Sequence, residues 1–354
     1  MHGALCGFLL WFGVISGAMT GAALGQESPS PTIRGITIST HGGGREWADA
    51  DRMGPTMRRI RATGATWVAL HPYASVRADG RVRWRRFARR GASDKATEAP
   101  ARWYLPIRYA HEAGLKVLIK PHLAYWGSPF RWRGEIRFHD DARWRQFFGD
   151  YRAWIERIAR GCAAADGFVV GTELDGTISH ERDWRAIIAG VRKATKAPLT
   201  YAANWTDYER VPFWNALDII GIQAYFPLCD DDDPTSAELT AAWATRMADL
   251  RRFAERTHKD IVFTELGYNT SFKAAREPWV HRSDGKAAEP LQLRCIAAAL
   301  AAIEHEPRVR GSFLWKWFPE PRAVGRDFPL ATRGVLGVLA QVWRSSLPQA
   351  ARRK

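Results

Sequence analysis

"GFVVGTELDG", Gly167 to Gly176, runs a block of apolar residues into one carboxylate, Glu173, and stops at an Asp-Gly pair. A strand without a polar face suits a parallel sheet covered by helices, where both surfaces are buried. The pattern recurs along the chain. "RGITIST" from Arg34, "TWVALHP" from Thr66, "KVLIKPH" from Lys116, "PLTYAAN" from Pro198, "DIIGIQAY" from Asp218, "DIVFTE" from Asp260 and "GSFLWKW" from Gly311 bring the number of such runs to eight. Segments with helical spacing of apolar residues follow them: Asp51 to Thr63, Trp103 to Ala113, Asp141 to Ala165, Glu181 to Thr195, Tyr208 to Trp214, Ala237 to Thr257, Leu291 to His305 and Leu336 to Arg344. Alternation of this kind predicts an α/β fold, a single-domain (β/α)8 TIM barrel over residues 33–346. A doubly wound open sheet is the competing arrangement, but "HGGG" at His41 to Gly44 lacks the G-x-G-x-x-G phosphate turn that would accompany it.

The 354 residues, 46% hydrophobic and 25% charged, are enough for a large core and exclude a disordered chain. Residues 1–25 carry no Asp, Glu, Lys or Arg, hold an apolar run from Leu5 to Val14, and end in small residues, which reads as a signal peptide. The run is short for a membrane span of ~20 residues. The expected product is secreted or periplasmic, with a retained anchor as the alternative and residues 347–354 as a disordered tail. Cys162, Cys229 and Cys295 have no metal-ligand spacing, and one disulfide among them stays open. A net charge of +15 brings anionic partners into consideration, concentrated in "RVRWRRFARR", Arg81 to Arg90. No nucleic-acid motif accompanies that run, so no nucleic-acid partner is expected. A solvated basic segment is the simpler reading. No metal, no cofactor, no stable membrane insertion after removal of the signal, and a monomer complete the expectation.

In a closed parallel barrel the C-terminal ends of all strands converge on one mouth. Here those ends supply Thr40 and His41, His71 and Tyr73, His122, Glu173, Asn204 and Trp205, Gln223 and Tyr225, Glu265, and Trp315 with Trp317. Glu173 and Glu265 follow the fourth and seventh strands, which face each other across the axis. Two carboxylates over one cavity are the requirement of glycoside hydrolysis: one protonates the leaving oxygen, and the other attacks the anomeric carbon or activates water.

"GTEL" on strand four, "IGIQAYFPL" on strand six, "TELGY" on strand seven and "FLWKWFP" on strand eight together resemble the clan A (4/7) retaining glycoside hydrolases. Among these the sequence is most similar to family 113, known for endo-β-1,4-mannanases, and the resemblance covers nearly all of the chain after the leader. It implies Glu173 as general acid/base and Glu265 as nucleophile. Many members of the clan place Asn before the acid/base; here the position is Thr172, and Asn204 or His122 is expected to supply the missing polar contact.

Aromatic residues indicate a sugar polymer, since indole faces pack on the C–H faces of pyranose rings. Of 17 Trp, the mouth is expected to hold Trp126, Trp132, Trp205, Trp315 and Trp317, with Trp317 as the platform under the cleaved sugar and Trp315 as the candidate for core packing. His41, His71, His122, Asn204, Gln223 and Tyr225 are expected to bond sugar hydroxyls or the catalytic carboxylates. "CDDDDP", Cys229 to Pro234, lacks the spacing of a calcium loop and reads as a solvated turn. The reading is therefore a retaining β-glycoside hydrolase acting on β-1,4-linked mannan or glucomannan. Its rivals are a hydrolase of xylan, β-glucan or an acidic exopolysaccharide, and a non-catalytic carbohydrate-binding barrel.

Overall fold

The computed structural model describes residues 32–40, 44–84, 101–320 and 328–345. The expected leader at 1–25, the tail at 347–354, His41 and the Arg85 to Arg90 part of the basic run lie outside these residues. In chain order the strands are β1 (Ile33–Ile38), β2 (Trp67–Leu70), β3 (Tyr73–Val76), β4 (Val82–Arg83), β5 (Lys116–Ile119), β6 (His122–Ala124), β7 (Gly167–Thr172), β8 (Leu199–Asn204), β9 (Ile220–Gln223), β10 (Ile261–Leu266) and β11 (Val309–Trp317). The helices are α1 (Ala50–Ala62), α2 (Ala101–Glu112), α3 (Asp141–Gly161), α4 (Glu181–Ala194), α5 (Ser236–Thr257), α6 (Glu289–Glu304) and α7 (Arg333–Ser345).

Eight strands close a barrel in the order β1-β11-β10-β9-β8-β7-β5-β2, every pair parallel. They are the eight runs read from the sequence. Every residue of β7 and of β10 is buried, which accounts for the absence of a polar face in either run. Ala69, Leu118, Val169, Ala202, Val262 and Phe313, each from a different stave, pack together as one cluster. Phe313 lies where a side chain on Gly35 would stand, so the glycine makes room for the ring. The outer helices begin on recognisable caps. The Asp140 side chain accepts from the Arg143 N–H at the start of α3, and Thr235 with Glu238 forms a reciprocal capping box at the start of α5.

One expected helix is absent. The Tyr208 to Trp214 segment forms two short 3-10 turns, Tyr208–Arg210 and Trp214–Ala216. Pro212 lies between them and has no N–H for an intrahelical bond. Tyr208, Phe213 and Trp214 are buried against the barrel instead, and the Trp214 indole donates to the Tyr208 carbonyl at 2.8 Å.

A second sheet was not anticipated. β3 pairs parallel with β6, Tyr73 opposite His122, and antiparallel with β4. Pro72 and Pro121 separate these short strands from the staves β2 and β5, because neither proline can donate to a ladder. The loops after two adjacent staves are thereby tied together at the mouth. Cys162, Cys229 and Cys295 are free thiols, and the Cys229 to Pro234 turn is held by Arg276 and Arg294, which pair with Asp232 and Asp233. Among the described residues no helix is long and apolar enough to cross a membrane.

Candidate active site

The mouth holds a cavity of about 550 Å³, lined by residues from six of the staves or the loops that follow them. Glu173 and Glu265 both face it. Their environments differ, and the difference comes from their neighbours.

Glu265 is the second-last residue of β10 and is 5% exposed. Its Oε2 accepts from the Tyr225 hydroxyl at 2.7 Å, and its Oε1 accepts from the Lys120 ammonium. Lys120 immediately follows β5, is fully buried, and also donates to the Thr264 carbonyl at 3.0 Å. Burial alone would raise the Glu265 carboxyl. The charge and hydrogen bond of Lys120, with the donors Tyr225 and Gln223, overcome that and hold it below the usual carboxylate range. His122 Nε2 lies 3.4 Å from Oε1 without hydrogen-bond geometry.

Glu173 follows β7, with its N–H still donating to the Ala202 carbonyl at 2.9 Å. Its φ is 51°, a left-handed conformation that a non-glycine residue adopts at a cost and that turns the chain sharply at the stave's end. Burial raises its carboxyl above the ordinary range; Arg133 opposes this, and the charge of Glu265 adds to it. Arg133 Nε is 3.8 Å from Glu173 Oε2, while its Nη1 is buried without a hydrogen-bond partner. Two residues on, Asp175 is pushed up to about 8 by burial, then by the charges of Glu173 and Asp207. The cavity therefore sets a carboxyl held below the ordinary carboxylate range opposite one raised above it.

The expected ligand-contacting residues separate into two groups. His122, Asn204, Trp205, Tyr225 and Trp315 line the cavity. Asn204 Oδ1 has no hydrogen-bond partner, whereas the Thr172 hydroxyl is committed to the Pro121 carbonyl at 3.0 Å. Gln223 is fully buried between the staves, accepting from Thr264, and its amide is close enough to both carboxyls to favour their ionised forms. His71 does not line the cavity. It packs edge-on against Trp47 and Tyr73 and 5.2 Å from the rings of both His122 and Trp315. Burial first, then the nearest cations, Lys120 foremost for His71 and Arg133 foremost for His122, holds both histidines well below the ordinary histidine range, so both are neutral near pH 7.

The two tryptophans of β11 exchange the expected places. Trp315 faces the cavity and stacks on His122 at 5.8 Å, while Trp317 is 1% exposed and does not line it. β11 pairs Leu314 with Ile36 and then Trp317 with Ile38, so it carries one extra residue at this point. Such a bulge turns the following side chains to the opposite face. Trp126 stands outside the lining, 65% exposed, with Tyr73 5.8 Å away.

Trp132, expected in the mouth loops, lines the cavity, and six further lining residues escaped the sequence reading: Tyr125, Arg133, Thr206, Trp279, His281 and Phe328. Trp279 stacks on Trp205 at 5.6 Å, and His281 meets Phe328 edge-on at 5.2 Å. These come from long loops without periodicity. Lys120 carried a readable signal, a lysine closing an apolar stave.

Similarity to known proteins agrees with this geometry. The chain is similar to the solved GH113 β-mannanase AaManA from Alicyclobacillus acidocaldarius, in complex with ManMIm, at 27% identity and a TM-score of 0.74, over 89% of this chain and 98% of that one. A GH113 β-1,4-mannanase complex shares the fold at 21% identity and TM-score 0.73, covering 89% of this chain and 100% of the other. A glycoside hydrolase family 5 mannosidase from Rhizomucor miehei shares the fold more distantly, at 11% identity and a TM-score of 0.57, over 90% of this chain and 95% of that one. The curated proteins include no match. The family model of Glycoside Hydrolase Family 113 matches residues 37–324, and the chain belongs to that family.

Proposed function

We propose that the protein is an exported retaining β-1,4-mannanase. The observation that carries the proposal is the asymmetry of the two carboxyls, Glu265 held ionised by Lys120 and Tyr225 and Glu173 raised by burial. In the first step a Glu265 oxygen attacks the anomeric carbon while Glu173 gives its proton to the leaving oxygen. In the second, Glu173 takes a proton from water, whose oxygen displaces Glu265 from the sugar. Trp315 offers a ring face in the cavity, and the stacked Trp205 and Trp279 offer another. Mannan as the substrate is supported by the likeness to AaManA, and export by the uncharged apolar leader.

A second reading, a hydrolase of an acidic polysaccharide, is favoured by the buried and unpartnered Nη1 of Arg133, a donor suited to a sugar carboxylate. Reducing-end release from mannan, glucomannan, xylan, β-glucan and a uronic-acid polymer separates the two. Mannan is expected to be cleaved fastest by the wild type and not measurably by Glu173→Gln or Glu265→Gln. Full turnover by both variants would overturn the assignment of the carboxylates, and a preference for the uronic-acid polymer that salt abolishes would overturn the assignment of the substrate.

A further inference from the structure

Lys120 lies beneath the proposed nucleophile with no access to solvent. Its ammonium bonds the Glu265 Oε1 and the Thr264 carbonyl, and it lies 5.1 Å from the centre of the Trp315 ring. A lysine is costly to bury unless its charge is paired, and Glu265 is the carboxylate it pairs with. The two oxygens of Glu265 are thus held differently, Oε2 by a neutral phenol and Oε1 by a full positive charge.

We propose that Lys120 is a catalytic residue for the second half of the reaction, stabilising Glu265 as it departs from the sugar. The inference rests on the double displacement described above. Its direction follows from charge. Glu265 is a carboxylate in the free enzyme, partly neutralised in each transition state, and a neutral ester in the glycosyl-enzyme. An ammonium at Oε1 stabilises the first of these most, the transition states less, and the ester least. It therefore slows attack and speeds breakdown. In that breakdown, the water oxygen bonds to the anomeric carbon and the C–O bond to Glu265 breaks. Its electron pair returns to the carboxylate beside Lys120, and the water's proton passes to Glu173. The enzyme gives up some nucleophilicity so that the covalent intermediate does not accumulate.

The test uses the full-length enzyme and 2-deoxy-2-fluoro-β-mannosyl fluoride, which forms a slowly hydrolysed glycosyl-enzyme. Mass spectrometry follows labelling and, after removal of the reagent, reactivation. The wild type is expected to label on Glu265. No label there would overturn the double displacement itself, a failure distinct from that of the Lys120 proposal. Lys120→Met removes the charge and keeps much of the stem's packing, and Lys120→Gln keeps a donor without the charge. Both are expected to label at least as fast as the wild type, at a pH where Glu265 is ionised, and to reactivate about 100-fold more slowly, the usual effect of losing one preorganised charge-stabilising group. Reactivation at the wild-type rate, or equal slowing of both steps, would overturn the proposal, since a purely structural lysine slows both. A wild-type measurement covers variants that do not fold: with 2,4-dinitrophenyl β-mannoside, release is expected without a burst. A burst of one equivalent per enzyme would overturn the proposal.

Discussion

Replacing Arg133 by Met tests the electrostatics of the proposed acid directly. Its guanidinium Nε is 3.8 Å from Glu173 Oε2, and both side chains are mostly shielded from solvent, at 12% and 19% exposure. At that separation and an effective dielectric of about 20, opposite unit charges attract by roughly 4 kcal/mol. If solvent at the cavity mouth leaves only about a third of this, some 1.4 kcal/mol, the ionisation equilibrium of Glu173 still changes about tenfold. The sign is fixed. Arg133 favours the ionised carboxylate and opposes the raising effect of burial, so its removal raises Glu173 further. The proton needed by the leaving oxygen is then retained to higher pH, and the basic limb of kcat/KM against pH moves upward on a mannooligosaccharide. The acidic limb, set by Glu265, moves much less. A basic limb that stays in place or moves to lower pH in a folded Arg133→Met enzyme would refute the reasoning.

Tyr225→Phe removes the 2.7 Å hydrogen bond that favours ionised Glu265, so the acidic limb of the same profile is expected to rise; an unmoved acidic limb would contradict this role. Glu173→Ala is expected to slow mannan cleavage roughly 10²- to 10⁴-fold, the range for a general acid. It should slow attack on a dinitrophenyl glycoside far less, because that leaving group needs no proton, and equal losses measured by labelling rates would argue against Glu173 as the acid. Gly311→Ala tests the barrel seam. Gly311 has φ 129°, and an added Cβ would lie 2.0 Å from the Ile33 carbonyl oxygen. A loss of about 2–4 kcal/mol in urea denaturation is expected from the strained φ and the backbone clash, and an unchanged midpoint would contradict the seam geometry.

The staves and most of the helices were legible because their signals are local. Two-sided apolar runs such as Gly167–Thr172 report burial on both faces, and helical spacing reports one apolar stripe. The turns at Tyr208 and Trp214 misled because a short segment with buried aromatics resembles a helical turn until the effect of Pro212 is weighed. The exchange of Trp315 and Trp317 depends on one extra residue in a ladder with β1, almost three hundred residues earlier in the chain, and nothing near residue 315 announces it. Both carboxylates could be placed from strand ends alone. Their difference could not, since Arg133 and Lys120 reach them from the loop and stave of another unit, and only the closed barrel brings those charges together.

The configuration of the first product formed tests double displacement most directly. Proton NMR of a mannooligosaccharide during the first minutes of cleavage resolves the new reducing-end anomer before it mutarotates. The β-anomer is expected first, with the α-anomer growing in later at the spontaneous rate. Initial appearance of the α-anomer would mean a single inverting displacement and would contradict the roles assigned to Glu265 and Glu173.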